Sequence, residues 1–560
     1  MSGSKANLNT ILDQSYRECH DIILNSLKND LQTLYSCIRV SRSFCRTFIP
    51  ILWMNPFKFV KDEDRLVQIF NTLIHCLDQT WLVRQSIEIE QLLTPKAYFK
   101  YHTFIKEFEL NTLQKAMRIW ISIHLSNRND LFRMSSERSR VSKLVFMINK
   151  CIGDLFFNKG GQYDSLNLFY NDFLSAILDI SEFKNHKESL ANVKKLSLGL
   201  FNSNGMELIT PIAENFLKLQ TAFSPNIQHL QILSINNSIR PNEFSRNLID
   251  FIHTQRHLKS LLIHDFWKDE FEPFLKALRK HAKSLTFFKL ECPILFTTHL
   301  SSMLRSLPNL ITLELKFTPI PDGDASREIS AASFSNLEHL NYDCCLSYHS
   351  TNHITLFKKI LLSANHLKSL RVDDTYCLFI KEIQGQCFLN LTHFHLILHR
   401  SCAIMDSMSL VDLMELLRNL HQLIHLKLNT VLNRYRLLNR IESFKRFSQV
   451  LACSLKILEV NFPVSDEYLE VLFNESKFNL HCIKLYCYER TQDISLRVFI
   501  DYAKRNERFK ELGITKEFKF SKELIEEARN RFNILIHTNS EINSPFYDVP
   551  IKDSYWCNRR

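Results

Sequence analysis

His393 and His395 alternate within the segment Leu-Thr-His-Phe-His-Leu that starts at Leu391, and His425 holds the third place of Leu-Ile-His-Leu-Lys-Leu from Leu423. Imidazoles ligate zinc or carry protons near neutral pH. If the two segments are neighbouring strands, the period-two geometry of a strand sets His393 and His395 on one face with His425 beside them. Three imidazoles suffice to hold zinc, but a catalytic zinc also needs an open position and a general base. Nothing nearby supplies the base. These histidines are therefore read as polar contacts on a binding surface, with no metal.

Other catalytic signatures are missing from the sequence. There is no HExxH, no GxSxG, no GxGxxG and no GxxxxGK[ST],. Only 9 of 560 residues are glycine, where average usage gives about 40. Phosphate-cradling loops need glycine for positive φ and close backbone approach, so nucleotide-binding enzymes and kinases are disfavoured. No catalytic residue and no cofactor is expected. The 15 cysteines contain no CxxC pair, which argues against a structural zinc site. Met1 to Thr10 is polar, unlike a signal peptide, so reduced thiols in the cytoplasm or nucleus are expected,. No stretch approaches 18 uncharged apolar residues, and no membrane partner is expected,. The net charge of +11 is spread without a dense Lys/Arg run or interleaved aromatics. Nucleic acid is accordingly not expected as a partner.

The elements that carry the histidines are set by a repeat. A phrase of the form apolar-x-x-apolar-x-apolar starts at Val193, Ile227, Leu258, Leu285, Leu310, Leu337, Leu367, Leu391, Leu423, Leu455, Leu480 and Phe509. Its mean spacing is about 29 residues, with irregular intervals,. The fourth-to-sixth step is the period of a strand. Between phrases lie helix-period segments: Glu270 to His281, Ser407 to Leu420, Arg440 to Cys453 and Ser465 to Ser476,. A strand–turn–helix unit buries its apolar face only by stacking on its neighbours. This pattern resembles the leucine-rich-repeat family over 191–516. The fold class expected is therefore α/β, an irregular solenoid with a curved parallel sheet and outer helices.

The chain before the repeats reads differently. Glu18 to Trp53 sets Ile23, Leu27, Leu31, Leu34, Ile38 and Phe48 at roughly helical spacing,. Asp30 stands where it can cap a helix, and Pro50 and Pro56 punctuate the end,. Three short helices are expected over 1–57. The run I-x-x-x-L-x-x-D-L-x-x-L-x-x-C-x-x-V-S-R-x-F-C, closing in P-I-L-W-x-N-P, resembles an F-box. That resemblance implies a substrate receptor of Skp–cullin–F-box ubiquitin ligases, with the Skp adaptor as partner and the cullin complex reached through it. It also implies that Ile23, Leu27, Leu31, Leu34, Val40 and Phe44 form the adaptor face or the small core behind it, and that Trp53 closes the motif. The family usually opens with Leu-Pro where this chain has Ser15-Tyr16. That departure motivates the alternative, a leucine-rich-repeat binding scaffold with no ubiquitin role.

Residues 58–190 are read as a helical connecting region, with stripes at Leu66, Ile69, Phe70, Leu73 and Leu77 and again at Phe104, Phe108, Leu113, Met117 and Trp120. Residues 517–560 are read as a capping helix (Leu524, Ile525, Ala528, Phe532) and a polar tail. The leucine-rich-repeat resemblance implies that odd places of each phrase face the concave side. That face would bring His229, His339, His393 and His425 from the third places, and Glu314, Arg371, His395 and Lys427 from the fifth, to an unidentified protein substrate. Arg371 and Lys427 would be able to receive a phosphorylated group.

Overall fold

The computed structural model describes residues 22, 26–27, 30–58, 60, 62–77, 97–125, 145–159, 161–171, 179–201, 215–218, 221, 224–234, 242–264, 271–320, 334–344, 351–373, 388–398, 410–430, 441–461, 465–475, 478–485, 493–515 and 520–537. Ile23, Ser15, Tyr16, Ser407 and the polar tail lie outside them. The chain divides into two compact units, Met1–Ser284 and Leu285–Arg560.

Unit one opens with helices. Ile22, Ser26 and Leu27 are helical. Helix α1 (Leu31–Ile38) is capped by Asp30, whose Oδ1 accepts the Thr33 N–H at 3.0 Å. Helix α2 (Arg42–Leu52) is capped by Ser41 Oγ, which accepts the Phe44 N–H at 3.2 Å. Pro50 does not end α2 as its position suggested. It removes one amide donor, yet the Trp53 N–H still reaches the Ile49 carbonyl and closes the last turn. Helix α3 (Glu63–Ile74) buries Leu66, Phe70, Leu73 and Ile74, and α4 (Leu110–Leu125) buries Leu113, Met117 and Trp120.

Between and after these helices runs a parallel ladder. Strands β1 (Glu107–Glu109), β2 (Ser165–Asn171), β3 (Lys195–Phe201), β4 (His229–Ser234) and β5 (Ser260–His264) pair in chain order. Helices α5 (Asn242–Thr254) and α6 (Phe271–Arg279) follow β4 and β5. Phe104 and Phe108 were expected on one helical stripe. Instead Phe104 ends a single 3-10 turn and Phe108 lies in β1, because α4 begins only at Leu110.

Unit two repeats the scheme. Strands β6 (Phe287–Phe296), β7 (Thr312–Ile320), β8 (His339–Cys344), β9 (Ser369–Asp373) and β10 (His393–Leu398) pair in parallel and in order. They continue with β11 (His425–Thr430), β12 (Ile457–Asn461), β13 (Cys482–Leu485), β14 (Glu511–Thr515) and β15 (Asn533–His537). The helices between them include α7 (Thr297–Arg305), α8 (Thr351–Ser363), α9 (Leu410–Asn419), α10 (Ile441–Val450), α11 (Asp466–Glu475), α12 (Asp493–Arg505) and α13 (Lys522–Arg529). Each unit is thus a repeat array of the α/β class, parallel strands in chain order alternating with helices on one side.

The phrase explains the core. In all twelve copies the first, fourth and sixth residues are at most 5% exposed. A fully buried Leu is worth roughly 1.5–3 kcal/mol, so these positions form the sheet side of the core, and the buried faces of the helices supply the rest. Tyr342, at a sixth place, meets Phe357 of α8 with ring centroids 4.8 Å apart, which identifies the helix-covered side of the sheet. The third and fifth places, which alternate with the buried fourth and sixth, therefore stand on the open side.

The ladder is longer than the 191–516 expected for the repeats. β1 and β2 precede it and β15 follows it. Ile105-Lys-Glu-Phe-Glu-Leu and Tyr163-Asp-Ser-Leu-Asn-Leu carry the same apolar first, fourth and sixth places. The 58-residue gap between Ile105 and Tyr163 hides the period. The β15 copy has Arg531 at its first place.

Candidate functional site

Two surfaces gather the residues singled out by type and spacing. The first is the N-terminal helical pair of unit one. Leu34 is 1% exposed and Trp53 is 9% exposed, so both belong to the core. Leu27 and Leu31 are half-buried. Val40 and Phe44, by contrast, are 66% and 44% exposed. The structure thus splits the expected set into a buried base and an exposed pair flanking the Ser41 cap. It adds two apolar side chains, Ile22 and Tyr35, exposed to 69% and 55%. Tyr35 lies four residues after Leu31, a helical spacing that could have flagged it, whereas Ile22 is followed three and four residues on by Asn25 and Ser26 and carries no such signal,.

Trp53 packs on Tyr101 with ring centroids 4.3 Å apart. The carbonyl of the next residue, Met54, accepts both the Lys106 and Glu107 N–H groups, at 2.9 and 3.1 Å. Asn55 Nδ2 donates to Glu107 Oε2 at 2.7 Å and to Glu109 Oε1 at 3.2 Å. The helical pair is therefore joined to β1 by hydrogen bonds of the ladder itself.

The second surface is the open side of unit two. Its fifth-place row reads Lys289, Glu314, Asn341, Arg371, His395, Lys427, Glu459 and Lys484 on β6 through β13. Its third-place row includes His339, His393 and His425. His229 occupies the third place of β4 and belongs to unit one. The register brings His393 and His425 together, with ring centroids 5.6 Å apart. His395 lies in the other row, between Arg371 and Lys427. Among the described residues no group of three or more His, Cys, Asp or Glu side chains is placed to hold a metal ion.

Glu459 organises one end of the row, a role its place in the phrase did not announce. It is 5% exposed. Lys427 Nζ lies 3.2 Å from its Oε2, and Lys484 Nζ lies 2.9 Å from its Oε1. His425 Nε2 stands 3.3 Å from Oε1, within ion-pair range but without an aligned hydrogen bond. Burial alone would raise the Glu459 carboxyl, but His425, Lys427 and Lys484 outweigh it and hold the group well below the usual carboxylate range,. At the other end Lys289 Nζ pairs with Glu291 at 3.2 Å and Glu314 at 3.3 Å.

The middle of the row is less compensated. Burial draws the Arg371 guanidinium below its ordinary value, against the carboxylates of Asp343, Glu314 and Glu291. Burial also lowers Lys427, with Glu459 opposing and Arg371 and Lys484 assisting. His395 is pushed well below the usual imidazole range by burial and then by Arg371 and Lys427. It is neutral at physiological pH. Among the described residues of this row the groups on offer are fixed donors and charges, which suit recognition.

No family model and no curated protein matches the chain. It is similar to solved structures at low identity. One is the Rad7 and Elc1 complex in yeast, at 13% identity over 76% of this chain and 98% of that chain, with a TM-score of 0.37. Another is an LRR protein of Leptospira interrogans, at 14% over 69% and 86%, TM-score 0.29. A third is the TLR13-ssRNA13 complex, at 11% over 68% and 59%, TM-score 0.31.

Proposed function

We propose that this chain is a non-catalytic substrate-recognition subunit of a cullin-RING ubiquitin ligase. In this reading α1 and α2 bind the Skp adaptor, and the open side of the repeats binds a target protein. The observation that carries it is the exposure of Val40 and Phe44 above a base of Leu34 and Trp53 that is already buried. Large apolar side chains left in water beside a small, well-capped helix pair are what an adaptor-docking surface requires. The resemblance of Glu18 to Trp53 to an F-box supports the same assignment.

The catalytic gain would be positional. Holding a target near a ubiquitin-charged enzyme raises its effective concentration without chemistry from this chain. A solenoid suits the receptor role because many strands, each about 4.8 Å from the next, can touch one partner at once.

Co-expression of the full chain with the Skp adaptor, followed by size-exclusion chromatography, tests the proposal. A stable complex that Val40→Asp and Phe44→Asp abolish is the result expected. Well-folded protein that never co-elutes with the adaptor would leave a leucine-rich-repeat scaffold with no ubiquitin role.

A further inference from the structure

Strands β9, β10 and β11 place Arg371, His395 and Lys427 side by side in the fifth-place row. Neighbouring strands are about 4.8 Å apart, so Arg371 and Lys427 start about 10 Å apart at the backbone, on either side of His395, a separation that their long side chains can close around one small group. Two of these side chains carry an enclosed atom with no hydrogen-bond partner, Arg371 Nε and His395 Nε2. Asn341 Oδ1, on the adjoining β8, and Asn429 Oδ1, two residues beyond Lys427 on β11, are in the same condition. Enclosed polar atoms normally find partners, and a cluster of exceptions on one face asks for an explanation.

The charge supplies one. Lys427 and Lys484 share the single carboxylate of Glu459. His395, neutral, sits in the field of Arg371 on one side and Lys427 on the other. Lys427 is 7% exposed, so little water screens it.

We infer that this three-strand segment is an oxyanion-recognition site that takes one phosphoryl or carboxylate group presented by a target peptide. Arg371 offers a planar fork of donors, Lys427 a point charge, and His395 a further donor in its Nε2–H tautomer. The site is one group wide, because Glu314 and Asp343 border it on β7 and β8 and Glu459 on β12. A nucleic acid strand would lay its other phosphates against those carboxylates, which favours a single anionic residue on a peptide. The inference rests on the open side being the target-binding surface. It is independent of adaptor docking, because its probes touch only the repeats.

The test is calorimetric titration of the full chain at constant ionic strength. The probes are inorganic phosphate, phosphoserine capped as N-acetyl N-methylamide, and aspartate capped in the same way. The variants are Arg371→Gln, Arg371→Lys and Lys427→Met, with Lys510→Gln as an exposed control. The expected result is saturable binding of a capped residue at one site per chain. Arg371→Gln and Lys427→Met should weaken it about tenfold or more, and Lys510→Gln should leave it unchanged. Arg371→Lys keeps the charge and loses the fork, so it should weaken binding less than Arg371→Gln, and it remains informative if the Gln variant misfolds. Tighter binding of capped phosphoserine assigns a phosphorylated side chain, and equal binding of capped aspartate assigns a carboxylate. The inference is overturned by no saturable binding, by binding indifferent to both Arg371 variants, or by inorganic phosphate binding more tightly than either capped residue. Single-stranded oligonucleotide binding that falls steeply with salt and is lost in the same variants would also overturn it.

Discussion

The Met54 carbonyl accepts the Glu107 N–H at 3.1 Å while also accepting that of Lys106 at 2.9 Å. The same two-into-one arrangement links Gln228 and His229 to Lys194, and Ile424 and His425 to Thr392. Met54 therefore holds the place of a second residue in a preceding repeat phrase. The N-terminal helices continue the ladder instead of hanging from it by a linker. A docking surface on α1 and α2 would then be held at a fixed angle to β1.

This predicts a measurable role for Asn55, which bridges to Glu107 and Glu109. Asn55→Ala should destabilise the helical pair by about 1–2 kcal/mol. Limited proteolysis should cut between 39 and 58 faster in the variant, with cleavage elsewhere unchanged. Identical cleavage rates would mean that the Met54 bonds alone hold the pair.

Phe108 tests the early start of the ladder. It is 3% exposed and meets Phe156, Phe157 and Tyr163 with centroids 5.1, 5.5 and 5.9 Å away. Phe108→Ala should cost roughly 3–5 kcal/mol, seen as a lowered denaturant midpoint. A loss below about 1 kcal/mol would not fit a core strand.

Glu459 predicts a pH signature. Its folded-state carboxyl lies below the ordinary value of 4.5, so its contribution is present above pH 4.5 and is lost as pH falls below it,. Glu459→Gln leaves Lys427 and Lys484 without their carboxylate and should cost about 3–5 kcal/mol near neutral pH. The gap between wild type and variant should narrow as pH drops below 4.5. A gap independent of pH would show that the carboxylate charge is not what stabilises the row.

His102 gives a second pH window. It is 6% exposed, and burial, then Lys100, bring its imidazole down to about 4. A depressed folded-state value means that stability is full above 6.5 and is lost as pH falls from there toward 4. Wild type should lose stability across that window more steeply than His102→Gln, as read from urea midpoints. Equal slopes would remove His102 from the account.

The repeat phrase made most of the sheet legible, because strand pairing and helix packing both act through its first, fourth and sixth residues. Leu391, Phe394 and Leu396 show this: three apolar places fix β10, and the register then delivers His393 beside His425 and His395 beside Lys427. Phe108 reads as helical in the sequence for a physical reason. Its four-residue spacing from Phe104 satisfies a helix, and a three-residue strand is too short to display alternation. The division of Leu34 and Val40 into base and surface was not legible, since both are apolar and only the packing of α1 on α2 separates them. Nor was the centrality of Glu459, which depends on three partners that approach from two neighbouring strands.

The most direct measurement is the dissociation constant of the purified full chain for the Skp adaptor, compared with the Val40→Asp, Phe44→Asp double variant. The account predicts tight, saturable binding that weakens by about 100-fold or more when two exposed apolar anchors become charged, with an unchanged melting temperature. No binding by folded wild-type protein, or equal binding by the double variant, would contradict it.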